Sequence, residues 1–185
     1  VLGYGALVGL ALTPWLTPEV GRAAAGLTSS VNLMFLGALG VIAVVSFVDD
    51  RRNLPVLLRL GLQVLAASAV AAVGMVVQGI DVPGWGWVPF GSAAAPLSVL
   101  YIVWMSNLFN FMDGMDGLAG SMAVLGFGFL GLFAWGSGQP LELVALLTAA
   151  AAGGFLLSNY PPARIFMGDV GSVPLGFLAA TVTLS

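Results

Sequence analysis

Long apolar runs, separated by short polar or Gly- and Pro-rich stretches, make up most of this chain. A bilayer core of about 30 Å is crossed by roughly 20 apolar residues in a helix, so each run is a candidate membrane span. The pattern predicts an all-α fold, a polytopic transmembrane helical bundle of about seven spans, with the first and last partly truncated. The predicted spans are 1–12, 31–48, 56–77, 93–111, 118–135, 141–158 and 170–185.

Composition strengthens this interpretation. Of 185 residues, 59% are hydrophobic and 7% are charged, and the mean hydropathy is +1.06. A soluble domain of this length needs more polar surface than such a chain supplies. The net charge of −3 and the five Arg residues form no basic stripe, which excludes a nucleic-acid partner. Because Cys is absent, a disulfide framework and a thiolate metal site are excluded as well.

The polar connections are of two kinds. One kind, which includes GIDVPGWGWVPF at 79–90, is rich in Trp, Pro and Gly, and its Trp residues fit an aromatic belt at the lipid headgroups. The other kind holds five of the eight acidic residues, in DDRR at 49–52, DGMDG at 113–117 and NYPPARIFMGD at 159–169. Two predicted spans separate each of these acidic segments from the next, so we expect all three on one membrane face.

Four of the five Arg residues lie on the same predicted face as these acids, and only Arg22 lies on the other. Because positive charge is retained in cytoplasmic loops, we expect the acid-bearing face to be cytoplasmic. The four are Arg51, Arg52, Arg59 and Arg164.

Asp49 and Asp50 directly follow the apolar run VIAVVSFV. Adjacent carboxylates repel each other, and two arrangements would offset the repulsion. In the first, the pair ends a solvated helix, and Arg51 and Arg52 are its counter-ions. In the second, a cation or a substrate proton neutralises the pair, since paired carboxylates commonly raise one pKa enough for general-base work. The residues alone leave both arrangements open.

Asn107, Asn110 and Asp113 recur at helical spacing, so they can share one face at the end of a helix. Asp116 follows one turn later, and the Gly after each Asp favours a turn or helix break. Capping of the next helix by Asp116 would explain one acid but not the other three polar residues. Because polar groups within a membrane segment are costly, we interpret this set as functional.

The stretch ARIFMGDVGS at 163–172 places Arg164 and Asp169 in a Gly-containing loop just before the last span. Small residues allow a close approach to an anion, and the following helix offers its first N–H groups. The alternative is that Asp169 or Ser172 caps that helix. The pattern at this loop does not decide between the two.

Hard oxygen ligands without imidazole or thiolate suit Mg²⁺ or Mn²⁺ rather than Zn²⁺ or copper. Mg²⁺ usually binds through one or two carboxylates together with substrate phosphates. The residues therefore predict a diphosphate substrate at the cytoplasmic membrane face.

Three motifs occur in order, VDDRRNLPVLLRLGLQ, NLFNFMDGMDGLAG and NYPPARIFMGDVGS, and they cover about a quarter of the chain. With them the chain resembles the polyprenyl-phosphate N-acetylhexosamine-1-phosphate transferase superfamily, glycosyltransferase family 4. That superfamily includes the enzymes that initiate enterobacterial-antigen and O-antigen synthesis, and the phospho-MurNAc-pentapeptide translocase. The form NFMDGMDGLAG looks closer to the antigen-initiating branch.

The resemblance implies transfer of a sugar 1-phosphate from a UDP-sugar donor to a polyprenyl (undecaprenyl) phosphate acceptor, with release of UMP and a requirement for Mg²⁺ or Mn²⁺. It implies a multi-pass enzyme of the bacterial inner membrane that initiates O-antigen or related synthesis, and leaves a homodimer open. We expect residues 1–185 to be a single integral-membrane transferase domain. The family's PTPRGGG segment and its His-containing loop are missing, so we expect a fragment truncated at both ends, which could be inactive alone.

By the resemblance, Asp49 and Asp50 match the acidic pair that positions or deprotonates the acceptor phosphate, and we favour Asp49 as the base. Asp113 lies close to the diphosphate and completes the catalytic set. Asp169 matches the metal ligand, and Asn110 is the expected second ligand. We favour direct attack by the acceptor over a covalent intermediate.

The same resemblance assigns five residues to substrate binding. Phe166 and Asp116 would contact the uracil by stacking and hydrogen bonding. Arg59, where many relatives carry Lys, and Arg164 would hold phosphate. Asn107 completes the substrate-binding set.

Three other functions compete with the transferase. An intramembrane aspartyl protease needs GxGD, where this chain has FMGD at 166–169. A proton- or cation-coupled transporter would line a path with carboxylates, yet the clustered acids all lie at one interface rather than at mid-span. A non-catalytic scaffold would not require intact motifs.

Overall fold

A computed structural model describes residues 30–134 and 140–184 of the chain. The first predicted span, 1–12, lies outside the described residues. Most of the described part is helical, as predicted. The helices are α1 (Ser30–Arg52), α2 (Val56–Ala72), α3 (Ala94–Met112), α4 (Leu118–Phe133), α5 (Pro140–Asn159) and α6 (Asp169–Leu184).

The helix boundaries in the described residues differ from the predicted spans by more than two residues at two places. Helix α1 continues through the DDRR segment, so these four residues form its last turn rather than a loop. It ends where Asn53 takes a positive φ of 48°, a conformation that Asn tolerates better than most residues. Helix α2 ends at Ala72 instead of residue 77, because Gly74 turns the chain with φ of 96°.

A β-hairpin connects α2 to α3, and it corrects the all-α prediction. Strands β1 (Gly79–Val82) and β2 (Gly86–Pro89) are antiparallel, with Asp81 opposite Trp87. Gly84 and Gly86 have positive φ at the turn, where a residue with a side chain would be strained. Trp85 and Trp87 are 86% and 60% exposed, and their place in an aromatic belt stays a prediction.

Two of the described helical segments have the length and apolar composition to cross a membrane, Val31–Arg52 and Gly91–Met112, with mean hydropathies of 2.4 and 1.4. The other apolar helices are shorter, so the count of seven spans is not confirmed. Large apolar side chains cover the outer surfaces of the bundle; Phe129 and Phe133 of α4, for example, are 72% and 85% exposed. Apolar surface on this scale marks a partner or a membrane.

Helix α6 is the centre of the packing. It lies against both α1 and α3, while α4 and α5 pack mainly against each other. The core is formed by apolar side chains from every helix, of which the largest fully buried are Phe35, Ile42, Val70, Ile102, Phe127, Val173 and Phe177. The position of α6 therefore determines where the ends of α1 and α3 meet.

Gly176 allows α6 to approach α3 closely. A Cβ built at this position would lie 2.6 Å from Cα of Ser106, where the neighbour is backbone and cannot swing aside. Small residues at helix crossings in membranes allow such contacts.

We expect Gly176→Ala to destabilise the protein by about 1–3 kcal/mol, the cost of overpacking. Gly40→Ala is the matched control, because a Cβ at Gly40 in α1 meets nothing within 4 Å, and Ala favours the helix. Thermal unfolding of the purified protein in detergent measures both. Equal melting temperatures for Gly176→Ala and wild type would contradict a close crossing at Gly176.

Candidate active site at the ends of four helices

The three acid-bearing segments meet at one end of the bundle. Asp49 and Asp50 lie in the last turn of α1, Asp113 follows the last residue of α3, and Asp169 is the first residue of α6. The backbone N–H of Asp169, in α6, donates a hydrogen bond to Asp50, and the N–H of Gly168, just before α6, donates one to Asp113. The predicted convergence of these acids is confirmed by the geometry.

Asp50 caps the first turn of α6 from outside that helix. Its Oδ1 accepts a hydrogen bond from the backbone N–H of Asp169, and its Oδ2 accepts one from Val170, each at 2.9 Å. The first N–H groups of a helix lack partners within it, and a carboxylate there also interacts favourably with the helix dipole. The sequence left open whether these amides face a substrate anion or are capped by Asp169 or Ser172, and in the structure two of them donate to Asp50 instead.

Asp113 binds the residue just before this helix. Its Oδ2 accepts a hydrogen bond from the N–H of Gly168 at 3.1 Å. Gly168 has φ of 68°, and a Cβ there would lie 3.0 Å from Oδ2 of Asp50, so this position requires Gly. Three successive backbone amides, 168–170, are thus held by carboxylates from two other segments.

The pKa of Asp113 is raised above its ordinary value of 3.8, mainly by burial. The hydrogen bond from Gly168 opposes this rise, and the negative charges of Asp169 and Asp50 add to it. The ionised form of Asp113 is therefore destabilised by its neighbours, and a nearby cation would relieve the repulsion.

Asp49 is 5% exposed, and both of its oxygens are engaged. Oδ1 accepts a hydrogen bond from the N–H of Leu54 at 2.7 Å, and Oδ2 accepts one from Nη1 of Arg59 at 2.6 Å. The same Nη1 donates to Oδ2 of Asp169 at 3.1 Å, so Arg59 bridges two carboxylates. The ion pair of Asp49 is with Arg59, and not with the residues of its own helix that the solvated-end alternative proposed.

The two Asn residues of α3 have different contacts. Asn110 hydrogen-bonds the carboxylate of Asp169, which places both predicted metal ligands side by side. Asn107 donates from Nδ2 to Oε1 of Gln63 on α2, at 2.7 Å, and to the carbonyl of Val103 at 2.8 Å. Its contacts are between helices, and its predicted role in substrate binding stays a prediction.

Asp116 contacts the loop that carries Arg164 and Phe166, which are also predicted to bind substrate. Oδ2 of Asp116 accepts a hydrogen bond from the N–H of Ala163 at 2.9 Å. Asp116 does not cap α4, because the N-cap there is Gly117, with φ of 74° and no side-chain cap. Phe166 is 68% exposed and Arg164 is also exposed, so both are accessible to a ligand.

Four carboxylates share this end of the bundle with the single bridging guanidinium of Arg59. Among the residues that the structure describes, no three acidic side chains surround one point closely enough to hold a metal ion alone. A cation would therefore need further oxygen ligands, from Asn110 or from a substrate phosphate.

Two buried amides near the site, those of Gln63 and Asn159, were not predicted from the sequence; each residue is 2% exposed. Both are polar residues beside or within apolar runs, where a polar group is costly unless it has a partner. That cost is the signal that would have identified them. Their partners, on α3 and in the loops beside α4 and α6, could not be read from the sequence.

Comparison with known proteins identifies the family of this chain. The family model described as glycosyl transferase family 4 matches residues 32–185, which contain all three acidic segments. The chain belongs to glycosyl transferase family 4.

Two kinds of transferase are among the curated relatives of this family 4 chain. The chain is 33% identical, over 78% of its length, to a probable undecaprenyl-phosphate N-acetylglucosaminyl 1-phosphate transferase of Bacillus subtilis (strain 168), and covers 41% of that protein. Phospho-N-acetylmuramoyl-pentapeptide-transferases of Geobacillus kaustophilus (strain HTA426) and Heliobacterium modesticaldum (strain ATCC 51547 / Ice1) are 32% and 36% identical, over 95% and 86% of the chain. The chain spans about half the length of these relatives.

We expect Asp50→Ala to loosen the start of α6 in this family 4 chain. Loss of a helix cap costs about 0.5–2 kcal/mol, so hydrogen exchange at Asp169 and Val170 should accelerate roughly tenfold. Asp81→Ala, which removes an acid from the distant hairpin, is the control. Unchanged exchange at residues 169 and 170 in Asp50→Ala would show that Asp50 does not hold this turn.

We expect Asp113→Asn to raise the melting temperature at neutral pH by about 1–3 °C, a small shift because solvent partly screens the charge. The amide keeps an acceptor for Gly168 and removes the repulsion from Asp169 and Asp50. Since the folded pKa of Asp113 is raised, its charge destabilises wild type at neutral pH; this contribution shrinks as pH falls through that pKa and is gone below about 3.8.

Melting temperatures of wild type and Asp113→Asn between pH 7 and pH 3.5 test this prediction. The difference between the two proteins should shrink as the pH falls. A difference that stays constant over this range would exclude repulsion at Asp113 as its cause.

Proposed function

We propose that this protein is a sugar-1-phosphate transferase, which moves an N-acetylhexosamine 1-phosphate from a UDP-sugar to a membrane polyprenyl phosphate and releases UMP. The single observation that carries the proposal is the cluster of Asp49, Asp50, Asp113 and Asp169 at one end of an apolar bundle, around Arg59. An anionic soluble donor and an anionic lipid acceptor can meet there. The names of the relatives support the same reaction.

In the proposed reaction, an acceptor phosphate oxygen forms a bond to the β-phosphorus of the donor. The bond from that phosphorus to the bridging oxygen breaks, and the bridging oxygen leaves with UMP. Phosphoryl transfer of this kind depends mainly on positioning and on neutralising charge. We favour direct attack by the acceptor. None of the four carboxylates is both free of hydrogen bonds and next to the residues proposed to bind the donor nucleotide.

The residues fit a divalent cation, Mg²⁺ or Mn²⁺. Asp169 and Asn110 lie side by side, and their side chains offer the hard oxygen ligands that these ions prefer. The carboxylates around them carry more negative charge than the guanidinium of Arg59 neutralises. These two residues would hold the ion, together with oxygens of the donor diphosphate. The ion would supply neutralisation of the diphosphate charge.

Asp49 and Asp50 have different proposed roles. Asp50 holds the start of α6 and thereby orients Asp169. Asp49 is the proposed base or positioning group for the acceptor, and its ion pair with Arg59 must open or be shared when phosphate binds. Arg59 contacts both Asp49 and Asp169, so it can neutralise a phosphate placed between them.

The donor nucleotide is proposed to bind on the side of Asp116 and Phe166. The exposed ring of Phe166 offers a stacking surface for uracil, and Asp116 an acceptor for its N–H. Arg164 is exposed in the same loop and would hold phosphate, and Asn107 would contact substrate from α3. The enzyme is proposed to lie in the bacterial inner membrane with this site facing the cytoplasm.

The donor is proposed to carry an N-acetylated sugar, and the pathway to be O-antigen or a related envelope polysaccharide. The chain is 33% identical to one kind of relative and 32% identical to the other, so these identities do not indicate which relative's donor it uses. The assay panel therefore includes UDP-GlcNAc and UDP-MurNAc-pentapeptide. A cation-coupled transporter is the second candidate, but the cluster lies at helix ends rather than at mid-span.

The proposal is tested with membranes that contain the protein expressed at its full natural length, polyprenyl phosphate, Mg²⁺ and the donor panel. We expect UMP release with one donor and its loss in EDTA. Asp169→Asn, which keeps an acceptor for Arg59, should reduce the rate about 100-fold or more, because an amide is a poor Mg²⁺ ligand.

Asp81→Asn in the hairpin is the matched control and should release UMP at the wild-type rate. No release with any donor, from membranes shown to contain folded protein, would overturn the proposal and make ion flux the next measurement. Full activity of Asp169→Asn would instead remove Asp169 from the metal site and leave the reaction intact.

A further inference from the structure

We propose that Asn159 is a positioning residue, which holds the segments of Asp116 and Phe166 at a fixed separation and so determines the affinity for the donor nucleotide. The inference rests on the proposed function, since it assigns those two segments to the donor. Asn159 itself need not touch the donor, because both ends of its amide are engaged within the protein.

The amide of Asn159 joins two segments that are distant in sequence. Oδ1 accepts a hydrogen bond from the N–H of Gly117 at 2.9 Å, and Nδ2 donates one to the carbonyl of Ile165 at 2.8 Å. Gly117 directly follows Asp116, and Ile165 directly precedes Phe166. One side chain thus fixes the backbone next to both proposed uracil contacts.

The site of Asn159 is closed to water. The residue is 2% exposed, and Gly117 is also buried. A Cβ at Gly117 would lie 3.2 Å from Cδ of Pro161 and 3.7 Å from the carbonyl oxygen of Asn159, so this backbone packs directly on the loop. Because a buried N–H without a partner is costly, removing the amide of Asn159 should move the Gly117 segment.

A second contact completes the arrangement. Asp116 accepts a hydrogen bond from the N–H of Ala163, so the two segments are joined at Asp116 as well as at Gly117. These contacts require an acceptor at Asn159 that faces the N–H of Gly117 and a donor that faces the carbonyl of Ile165. Only an amide supplies both in this geometry, and Asp would place a carboxylate against the carbonyl oxygen of Ile165.

The alternative is that Asn159 stabilises the fold without affecting the donor. Ser98 provides a matched control, since it is also a buried polar residue that accepts a backbone N–H, that of Val77 at 2.9 Å, far from the proposed site. Ser98→Ala should lower the melting temperature and leave donor binding unchanged.

The experiment compares wild type, Asn159→Ala, Asn159→Asp and Ser98→Ala, each at full natural length in lipid nanodiscs. Equilibrium binding of UMP is measured by calorimetry, and KM is measured for the donor and for polyprenyl phosphate. We expect both Asn159 variants to weaken UMP binding and to raise the donor KM about tenfold, with the acceptor KM unchanged. Exchange of amide hydrogens should accelerate in residues 116–118 and 163–166 but not in residues 168–170.

Two results would overturn the inference. One is unchanged exchange at residues 116–118 in Asn159→Ala, which would mean that the amide does not hold this segment. The other is faster exchange, or a lower melting temperature like that of Ser98→Ala, with unchanged UMP affinity. Absence of UMP release from wild type would refute the proposed function instead, and UMP binding would still decide the role of Asn159.

Discussion

The first turn of α6 depends on carboxylates that belong to other helices, and the rest of the site depends on that turn. Asp50 and Asp113 together hold the backbone amides of residues 168–170. The first N–H groups of a helix have no partner within that helix, and here these carboxylates supply the partners. Since α6 also packs against both α1 and α3, the same hydrogen bonds set the relative positions of the three helices.

That arrangement concentrates negative charge. Asp50 and Asp113 hold the amides at the start of α6, and Asp49 and Asp169 share one guanidinium. Burial and the neighbouring charges of Asp169 and Asp50 raise the pKa of Asp113, which supports the proposal of a bound cation. Two neighbouring acids in the sequence, Asp49 and Asp50, thus have unlike roles, one buried in an ion pair and one exposed at a helix start.

Much of this could be predicted from the sequence. The helices follow from apolar runs longer than any strand, and the convergence of the acids follows from counting spans between them. The role of Asp50 could not be predicted, because its partners are backbone amides 119 and 120 residues away. The hairpin was also missed: its strands are four residues each, and Gly and Trp obscure any alternation. The partners of Gln63 and Asn159 depend on tertiary contacts that no local pattern encodes.

The DGMDG segment and the loop at 160–168 connect the two halves of the site. Asp113 holds this loop at Gly168, and Asp116, three residues later, holds it at Ala163. Residues 163 and 168 are therefore both fixed to one short segment, while the side chain of Phe166 between them is exposed. This side chain can rotate on contact with a ligand without moving Asp169, because Gly168 is held independently. The geometry thus separates adaptation at the proposed nucleotide site from the positions of the residues proposed to bind metal and phosphate.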